Sequence, residues 1–247
     1  MRSVGGVVTG IVKEIDAAGA RLKVEFPWLE ASYRSHWAPI AAPMSGNNRG
    51  LFMMPEKDDE VLVAFEHGEI DHPYVIGFLW NGVDKSPESG TGSSVRRLRT
   101  VSGHVLEFDD RGGQERVLIK TQGGHEIEMK DAPSAQINIK TKGGQEVILK
   151  DAPPSLTASI NPGNKITIDA TGITAQISTG VSITVTPTGV TVSAPTGTVS
   201  LNCLQASINA ASVFSVNAPL AQFSGVVQAM AVVASAYTPA PGNTFGL

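Results

Sequence analysis

The sequence predicts an all-β fold in which an N-terminal OB-fold barrel precedes a C-terminal intertwined trimeric β-helix, or β-prism, that forms a needle. Three observations predict it. The first eighty or so residues contain short β-branched runs punctuated by Gly and Pro, a segment with a period near twenty residues follows, and the last hundred or so residues alternate apolar with small polar side chains. The predicted boundaries are 1–82 for the barrel, 83–97 for a linker, 98–225 for the needle and 226–247 for a C-terminal apex.

The barrel is predicted from five candidate strands. They are Val7–Ile15, Arg21–Phe26, His36–Ala41, Glu60–Glu66 and Tyr74–Trp80. The second of these alternates polar and apolar residues with period two, as a strand with one buried face does. Five short antiparallel strands of this kind fit a small barrel. The stretch from Gly82 to Ser94 is rich in Gly, Ser and Pro and is typical of a linker.

A repeat follows the linker. A Thr-x-x-Gly motif followed by an alternating strand occurs three times, and its glycines are 21 and 20 residues apart. These glycines are Gly103, Gly124 and Gly144. The sequence Lys-Asp-Ala-Pro also occurs twice, ending at Pro133 and at Pro153. A period near twenty with glycine corners is typical of repetitive β-structure rather than of a globular core.

The third region continues the alternation with simpler chemistry. Apolar residues occupy every second position in runs bounded by Gly, Pro or Thr-Gly, and Thr, Ser, Asn and Gln fill most of the positions between them. Strand period is present and helix period is absent. The alternating positions are Ile166, Ile168, Ile173, Ala175, Ile177, Val181, Ile183, Val185, Val190, Val192, Ala194, Val199, Leu201 and Cys203.

Charge is distributed asymmetrically along the chain. Of 42 charged residues, 19 Lys and Arg plus 23 Asp and Glu, only Lys165 and Asp169 follow Asp151. An uncharged β-branched ribbon would expose backbone edges and an apolar face, so an open monomer would aggregate. Three copies around a symmetry axis would bury that face, which favours a homotrimer. A monomeric single-chain β-solenoid is the alternative.

Composition excludes several classes of function. A net charge of −4 without a basic stretch does not suit nucleic acid or an anionic membrane. The single Cys203, without a Cys/His cluster, leaves no structural zinc site. We expect no secretory signal before Asp16, and the apolar stretch Val226–Ala236 is too short for a membrane-spanning helix.

Two histidines are candidates for a metal or anion site. His104 shares strand parity with Leu106 and Phe108, and His125 occupies the same place in the next repeat. Threefold symmetry would bring three copies of each imidazole together on the axial face. Gln145 stands at the third equivalent position, and a neutral amide there favours a packed polar layer over a metal ring. We therefore predict no metal site and no cofactor.

Other candidate groups favour structural roles. The acidic runs Asp58–Glu60 and Asp109–Asp110 lie at turn-like boundaries, where carboxylates cap and solubilise, so we predict no catalytic pair. No nucleophile elbow, P-loop or HExxH pattern is present. We interpret Trp28, Trp37 and Trp80 as barrel core and subunit contacts, and Cys203 as an inward position in a small apolar layer.

Six short sequence motifs occur one after another in the barrel region. They are Arg21-Leu-Lys-Val-Glu-Phe-Pro27, Ser35-His-Trp-Ala38, Gly50-Leu-Phe-Met-Met-Pro55, Asp59-Glu-Val-Leu-Val-Ala-Phe65, Gly68 and His72-Pro-Tyr-Val-Ile-Gly77. Together they resemble the N-terminal OB domain of phage baseplate assembly protein V and of the VgrG spike proteins of type VI secretion. The Gly-His pairs at His104 and His125 look like the start of the β-helix in the same proteins.

The resemblance implies a structural central spike that pierces a target envelope. It implies a component of a phage virion or phage-tail-like particle, assembled in the cytoplasm and seated on a hub. The hub that VgrG proteins carry before the barrel is absent, so a separate hub polypeptide is expected. The linker leaves no room for a lysozyme domain, and no histidine follows His125 to form the iron-binding His-x-His motif of some spikes.

The C-terminal residues are the candidate docking site for a tip protein. Pro239 and Pro241 break the strand pattern there. VgrG-like needles recruit a sharpening protein of the PAAR type at this end, and exposed strand ends offer a docking template. The candidate docking residues are Tyr237, Thr238, Pro239 and Phe245.

Two other functions are alternative interpretations of the sequence. A receptor-binding or adhesive trimeric β-fibre with an OB collar would place recognition side chains at the far end, where only Tyr237 and Phe245 are available. An enzymatic tail hydrolase has no site to support it. Phage, tailocin, extracellular injection system and type VI-like machine all fit the same pattern.

Overall fold

The computed structural model describes residues 4–30, 33–87, 92–160, 163–231 and 233. Within them the chain forms eighteen β-strands, and its helical content is limited to the 3-10 turns Glu66–Gly68 and Gly92–Ser94. This confirms the all-β prediction. The tip-docking candidates Tyr237, Thr238, Pro239 and Phe245 lie outside the described residues.

The first seven strands build the barrel. They are β1 Val7–Asp16, β2 Arg21–Glu25, β3 Ala38–Pro39, β4 Ser45–Gly46, β5 Arg49–Gly50, β6 Glu60–Phe65 and β7 Pro73–Leu79. Five of them form one antiparallel sheet in the order β3-β2-β1-β6-β7. The two ends of that sheet meet at a parallel bridge between Ile40 and Val75, where the Ala41 N–H donates to the Val75 carbonyl at 2.8 Å. All five predicted strands are present, and the small β4–β5 hairpin was not predicted.

Period-two alternation fills the barrel interior. Along β6, Val61, Val63 and Phe65 are buried, whereas the alternate residues Glu60, Leu62 and Ala64 are only partly buried. Ser35 is the polar exception, because its hydroxyl accepts from the Val24 N–H at 2.9 Å and donates to the His36 carbonyl at 2.7 Å. The core residues are Val12, Leu22, Val24, Phe26, Ala38, Val61, Val63, Phe65 and Val75.

The tryptophans correct one prediction, because none of them lies in the barrel core. Trp28 is 46% exposed and Trp80 is 70% exposed. Trp37 is half-buried, with the Arg21 guanidinium and the Lys23 ammonium 5.2 and 4.9 Å from its ring centroid. Phe26 and Phe65, 5.5 Å apart between ring centroids, fill the interior instead, since they alternate in phase with the valines of their strands.

The next eleven strands form a single antiparallel meander. They are β8 Val95–Arg99, β9 Val105–Asp109, β10 Arg116–Lys120, β11 Glu126–Lys130, β12 Gln136–Lys140, β13 Glu146–Lys150, β14 Ser155–Ile160, β15 Asn164–Asp169, β16 Gly172–Gln176, β17 Ser182–Thr186 and β18 Gly189–Ser193. Each strand pairs with the one before it and the one after it, in sequence order. This sheet begins at Val95, inside the predicted linker, and its last strand ends at Ser193, well before the predicted end of the needle at 225. The domain boundaries themselves stay predictions.

The Thr-x-x-Gly repeat is a repeated hairpin turn. At each repeat the Thr N–H donates to the carbonyl four residues later, and the Gly N–H donates to the Thr carbonyl. In the second repeat the Thr121 N–H lies 2.9 Å from the His125 carbonyl oxygen, and the Gly124 N–H lies 3.0 Å from the Thr121 carbonyl oxygen. Gly103, Gly124 and Gly144 have φ between +86° and +93°, which glycine adopts without a Cβ clash. The period near twenty thus corresponds to two strands and two turns.

Residues from Val199 onward form a separate unit from Met1–Thr198. Its described residues contain no strand. Within the single chain no strand forms at Val199–Cys203, and Cys203 is exposed. Its inward position in a layer of three copies stays a prediction.

Candidate interaction surfaces

The strand register gives the eleven-stranded sheet one continuous apolar face. Directly opposed residues on neighbouring strands are apolar from β9 to β18, as in Ile119 opposite Ile127 and Ile127 opposite Ile139. Each of these ten strands contributes two side chains, so the face consists of two parallel rows. β8 contributes only Leu98, because Arg96 lies opposite Phe108. One row contains Phe108, Val117, Met129, Ile137, Leu149, Leu156, Ile168, Ile173, Val185 and Val190. The other contains Leu98, Leu106, Ile119, Ile127, Ile139, Val147, Ala158, Ile166, Ala175, Ile183 and Val192.

The opposite face of the sheet is mainly polar. Its central row begins with Arg97 and Glu107, includes Leu118 and Ile148, and ends in a ladder of five threonines on consecutive strands. These threonines are Thr157, Thr167, Thr174, Thr184 and Thr191. Four of these threonines are half-buried and Thr191 is exposed. Threonine suits such positions, because its β-branch favours the strand and its hydroxyl can form hydrogen bonds across strands.

The apolar face is uncovered in the single chain. Ile119, Ile139 and Ile183 are 46, 44 and 48% exposed. Between β12 and β17 the sheet curves around a groove of about 660 Å³, which residues such as Ile139, Ile166 and Ile183 line. A contiguous apolar surface of this length marks an interaction site. The structure therefore confirms that the sheet has an apolar face which the single chain leaves uncovered.

An ion-pair network lies at the start of the polar face. Glu107 accepts from Arg97 Nε at 2.7 Å and from Arg116 Nη2 at 2.8 Å, while Arg116 Nη1 donates to Glu128 at 3.0 Å. Asp109 is held by Arg111, whose Nε and Nη2 donate at 2.8 and 2.6 Å. Glu107 and Asp109 are nearly fully buried beneath these guanidinium groups.

The network keeps its carboxylates ionised. Hydrogen bonds from Arg111 lower the pKa of Asp109 to about 2, against the opposing effect of burial. Burial by itself would raise the pKa of Glu107, but the hydrogen bonds from Arg97 and Arg116 outweigh it and the pKa is lowered. These acidic groups act as structural anions in the network.

The acidic run Asp58–Glu60 also forms structural contacts. Asp58 forms an ion pair with Lys13 at 2.6 Å, and this hydrogen bond lowers the pKa of Asp58. Asp59 accepts the Glu56 N–H at 2.8 Å, which closes the turn before β6.

His104 and His125 both lie exposed in the repeated hairpin turns, just before β9 and β11. Nδ1 of His104 accepts the Gln122 N–H at 3.2 Å, and Nδ1 of His125 accepts the Lys142 N–H at 3.4 Å. Each imidazole thus links its own turn to the next turn on the same sheet edge. Among the described residues no group of three or more metal-binding side chains occurs within the chain, and a ring of three copies stays a prediction.

The barrel carries a second apolar surface, which sequence reasoning missed. Alternate residues of β7 and the following residue face outward, and the β4–β5 hairpin region adds further exposed apolar side chains. The exposed residues are Tyr74, Ile76, Phe78, Trp80, Met44, Leu51, Phe52 and Met53. An open cavity of about 880 Å³ lies between these two segments. The run Gly50-Leu-Phe-Met-Met-Pro55 was the available signal, because four consecutive apolar residues outside a strand exceed what a barrel core needs.

Comparison with known proteins matches both parts of the chain to injection machinery. Residues 6–80 match the family described as the type VI secretion system/phage-baseplate injector OB domain. Residues 136–213 match the phage baseplate V C-terminal trimerisation domain. The matched segments include the whole barrel sheet and β12 to β18 of the meander. No helix in the described part of the chain is long and apolar enough to cross a bilayer.

Curated relatives include spike proteins of type VI secretion and a VgrG protein named as a toxin. The type VI secretion system spike protein VgrG3 of Vibrio cholerae is 29% identical over 112 residues, which is 41% of this chain and 11% of that protein. Spike protein VgrG1c of Pseudomonas aeruginosa is 26% identical over 127 residues, 46% of this chain and 18% of that protein. The actin cross-linking toxin VgrG1 of Vibrio cholerae is 28% identical over 113 residues, 41% of this chain and 10% of that protein. The chain thus spans less than a fifth of the length of each of these relatives.

Proposed function

We propose that the chain, whose two parts match the injector OB domain and the phage baseplate V trimerisation domain, is a baseplate V/VgrG-like protein and forms the structural central spike of a contractile injection apparatus. The observation that carries this proposal is the two-row apolar face along eleven strands, joined to an injector-type OB barrel. The role is mechanical and needs no catalytic residue. The toxin name of one relative belongs to that protein, of which this chain matches a tenth.

The dimensions of the sheet suit three copies. Most of its strands have five residues, which spans about 17 Å. A triangular prism with sides of about 17 Å has its axis roughly 5 Å from each side, which is half the usual 10 Å spacing between packed sheets. Side chains from three apolar faces would therefore meet on the axis, while the charged and threonine-rich faces point outward. Eleven strands make such a prism about 50 Å long.

Resistance to force follows from this arrangement. Each chain supplies a continuous hydrogen-bonded meander whose strands are stacked along the long direction of the sheet. Separating the three sheets would expose the whole apolar face at once, so unfolding has a high barrier. A spike driven against an envelope needs this kind of kinetic stability.

Two neighbouring positions in one strand test the trimer. Ile166 points to the apolar face and Thr167 to the threonine ladder. We expect Ile166→Lys to place three charges inside the prism and to abolish the trimer in sedimentation. Thr167→Lys should leave the trimer intact, because its side chain lies on the opposite face of the sheet from Ile166. A wild-type monomer at micromolar concentration, or an Ile166→Lys trimer as stable as the wild type, would contradict the proposal.

A hub protein is the proposed partner at the barrel end. The exposed apolar surface of β7 and the β4–β5 region supports this, since isolated barrels seldom expose so many large apolar side chains together. We expect Phe52→Asp, at a residue 67% exposed, to reduce co-purification with baseplate proteins while the trimer persists. Retention of every baseplate partner by this variant would argue against this contact.

A small tip protein of the PAAR type is the proposed partner at the other end, through Tyr237, Thr238, Pro239 and Phe245. The support comes from the sequence, where Pro239 and Pro241 end the strand pattern. Deleting residues after Thr238 should leave the trimer intact and abolish co-purification of a tip protein. Unchanged co-purification would refute this part of the proposal.

Localisation in native particles separates this function from its alternative. A central spike lies on the axis of a baseplate, whereas a receptor-binding fibre lies at its periphery. Electron microscopy of particles carrying a label on this chain should show axial density. Peripheral density would favour the adhesive fibre.

A further inference from the structure

One edge of the eleven-stranded sheet carries a repeated contact between a side chain and a turn. Because neighbouring strands of the meander run in opposite directions, every second connection falls on this edge. At three places along it, the residue that directly follows a turn glycine accepts a hydrogen bond from the backbone N–H of the next turn. We call this contact a clasp. The accepting residues are His104, His125 and Asn164.

The two histidine clasps are equivalent. Nδ1 of His104 accepts the Gln122 N–H at 3.2 Å, and Nδ1 of His125 accepts the Lys142 N–H at 3.4 Å. Both donors are the second residue of a Thr-x-x-Gly turn. A ring nitrogen that accepts an N–H carries no proton itself, so each imidazole is neutral and holds its proton on Nε2.

A later turn repeats the clasp with a different side chain. Oδ1 of Asn164 accepts the Ser178 N–H at 3.0 Å. Ser178 is the second residue of a turn in which the Ile177 N–H donates to the Val181 carbonyl, as the Thr N–H does in the Thr-x-x-Gly turns. An amide oxygen thus takes the place of the imidazole nitrogen.

The clasps connect turns that strand pairing leaves apart. Successive turns on one edge are separated by two strand spacings, or about 9.5 Å. Pairing between β10 and β11 ends at Lys120 and Glu126, so it does not hold their turn to the neighbouring ones. Gln145 departs from the pattern, because it accepts the Thr141 hydroxyl of its own turn.

The surroundings of the two imidazoles offer no acidic partner. Glu126 pairs with Lys120 at 3.4 Å, and Glu146 accepts from Nδ2 of Asn138 at 2.9 Å. Among the described histidines, those that pair with a carboxylate lie in the barrel. The charged side chains on the turns and strand ends around the two imidazoles are Arg99, Lys120, Glu126, Lys140, Lys142 and Glu146.

We propose that His104 and His125 are acid-sensitive clasps, which hold successive turns of this edge together while the imidazole is neutral, and that Asn164 is a clasp without this sensitivity. Imidazole gains a proton in the range in which an amide oxygen does not change. Nδ1 then becomes a donor that faces another donor, and the clasp opens. Acid therefore loosens the first turns of this edge and leaves the later one held.

Amide hydrogen exchange tests the wild-type protein. It is measured on the full chain at about pH 8 and about pH 5, resolved to single residues and corrected for the intrinsic effect of pH. We expect protection of the Gln122 and Lys142 amides to fall by about three- to tenfold at the lower pH, as the loss of one hydrogen bond implies. Ser178 should keep its protection. An equal loss at all three amides, or no loss at Gln122 and Lys142, would contradict the proposal.

Exchanging the two kinds of clasp is the sharper test. Asparagine Oδ1 and histidine Nδ1 are both bonded to Cγ, so each can accept the same N–H. We expect His125→Asn to protect the Lys142 amide equally at both pH values. Asn164→His should make the Ser178 amide acid-sensitive, with a loss of about three- to tenfold.

His125→Ala is the control for the acceptor. It should leave the Lys142 amide at the low protection that the wild type shows in acid, at both pH values. If His125→Ala and His125→Asn protected Lys142 equally, the imidazole would act as a space-filling side chain, and the proposal would be wrong. Nitrogen-15 spectra of the imidazoles at about pH 8 give a second readout. A proton on Nδ1 rather than on Nε2 would also contradict the clasp.

The outcomes separate this inference from the proposed function, because every clasp lies within one chain. A trimer in which exchange at Gln122 and Lys142 ignores pH would overturn the clasps and leave the spike standing. A monomer with acid-sensitive exchange at these amides would overturn the spike and leave the clasps. A trimer with acid-sensitive exchange is the result we expect.

Discussion

At the scale of single residues, the most constrained side chain is Asp109, at the end of β9. Its carboxylate is almost completely covered and accepts hydrogen bonds from the Arg111 guanidinium and the Arg111 N–H. These bonds lower its pKa to about 2, from an ordinary 3.8. The folded state therefore favours the ionised carboxylate. This contributes stability above about pH 4, and the contribution is lost as the pH falls through 2.

Asp109→Asn should remove this contribution. We expect the variant to melt at a lower temperature than the wild type between pH 5 and 7, and the difference to shrink as the pH approaches 2. Asp110→Asn is the matched control, because Asp110 pairs with Arg96 on an exposed surface where an ion pair contributes little. A gap between Asp109→Asn and the wild type that is constant from pH 7 to 2 would contradict the assignment.

Glu107 joins two arginines, so its charge affects both. Glu107→Gln keeps the shape of the side chain but leaves Arg97 and Arg116 short of a negative partner. We expect a loss of about 1–3 kcal/mol in the free energy of unfolding, measured by chemical denaturation. Glu14→Gln breaks the exposed ion pair with Lys23 and should change the free energy of unfolding by less than about 0.5 kcal/mol. Similar losses in both variants would show that burial of the network is unimportant.

At the scale of elements, the tight turn between β15 and β16 depends on a glycine. Gly172 has φ +144°, and a Cβ at this position would lie 1.9 Å from the Val185 carbonyl oxygen on β17. Gly172→Ala must therefore move β16 away from β17 or distort the turn. We expect it to destabilise the sheet by at least about 2 kcal/mol.

Gly112→Ala is the control for this turn, because a Cβ there meets nothing within 4 Å. Local hydrogen exchange in β16 and β17 is the measurement, since it reports on these strands separately from the barrel. Unchanged protection in Gly172→Ala would mean that the turn relaxes without loss of pairing.

The predicted strands and turns are correct where period-two alternation and the turn residues indicated the same element. The five barrel strands and the repeated turns were predicted because alternation, glycine corners and turn residues all indicated the same element. The β4–β5 hairpin was missed because a two-residue strand carries no period. The core position of the tryptophans was wrong because a large aromatic residue was assumed to be buried, whereas strand phase places Phe26 and Phe65 inward.

At the scale of the whole molecule, association decides stability. The proposed prism buries the apolar rows of three chains against one another. Detergent must separate these buried faces to release a monomer. We expect the assembled protein to migrate as a trimer in dodecyl sulfate without heating and as a monomer after boiling.

The Ile166→Lys variant serves as the control for the detergent experiment. It should migrate as a monomer with or without heating, while Thr167→Lys should migrate like the wild type. Collapse of the unheated wild-type protein to monomer would count against a closed prism.

The sequence by itself determined the all-β class, the barrel-then-needle order, the alternating faces and the need for partner chains. These properties follow from local chemistry, because strand period, turn glycines and the loss of charge after Asp169 can be read residue by residue. Only the tertiary structure decided the strand register, which aligns the apolar side chains of the meander into two rows. It also located the end of pairing within the chain at Ser193 and the exposed apolar surface of the barrel. Register and burial depend on contacts between residues distant in sequence, and no local pattern specifies those contacts.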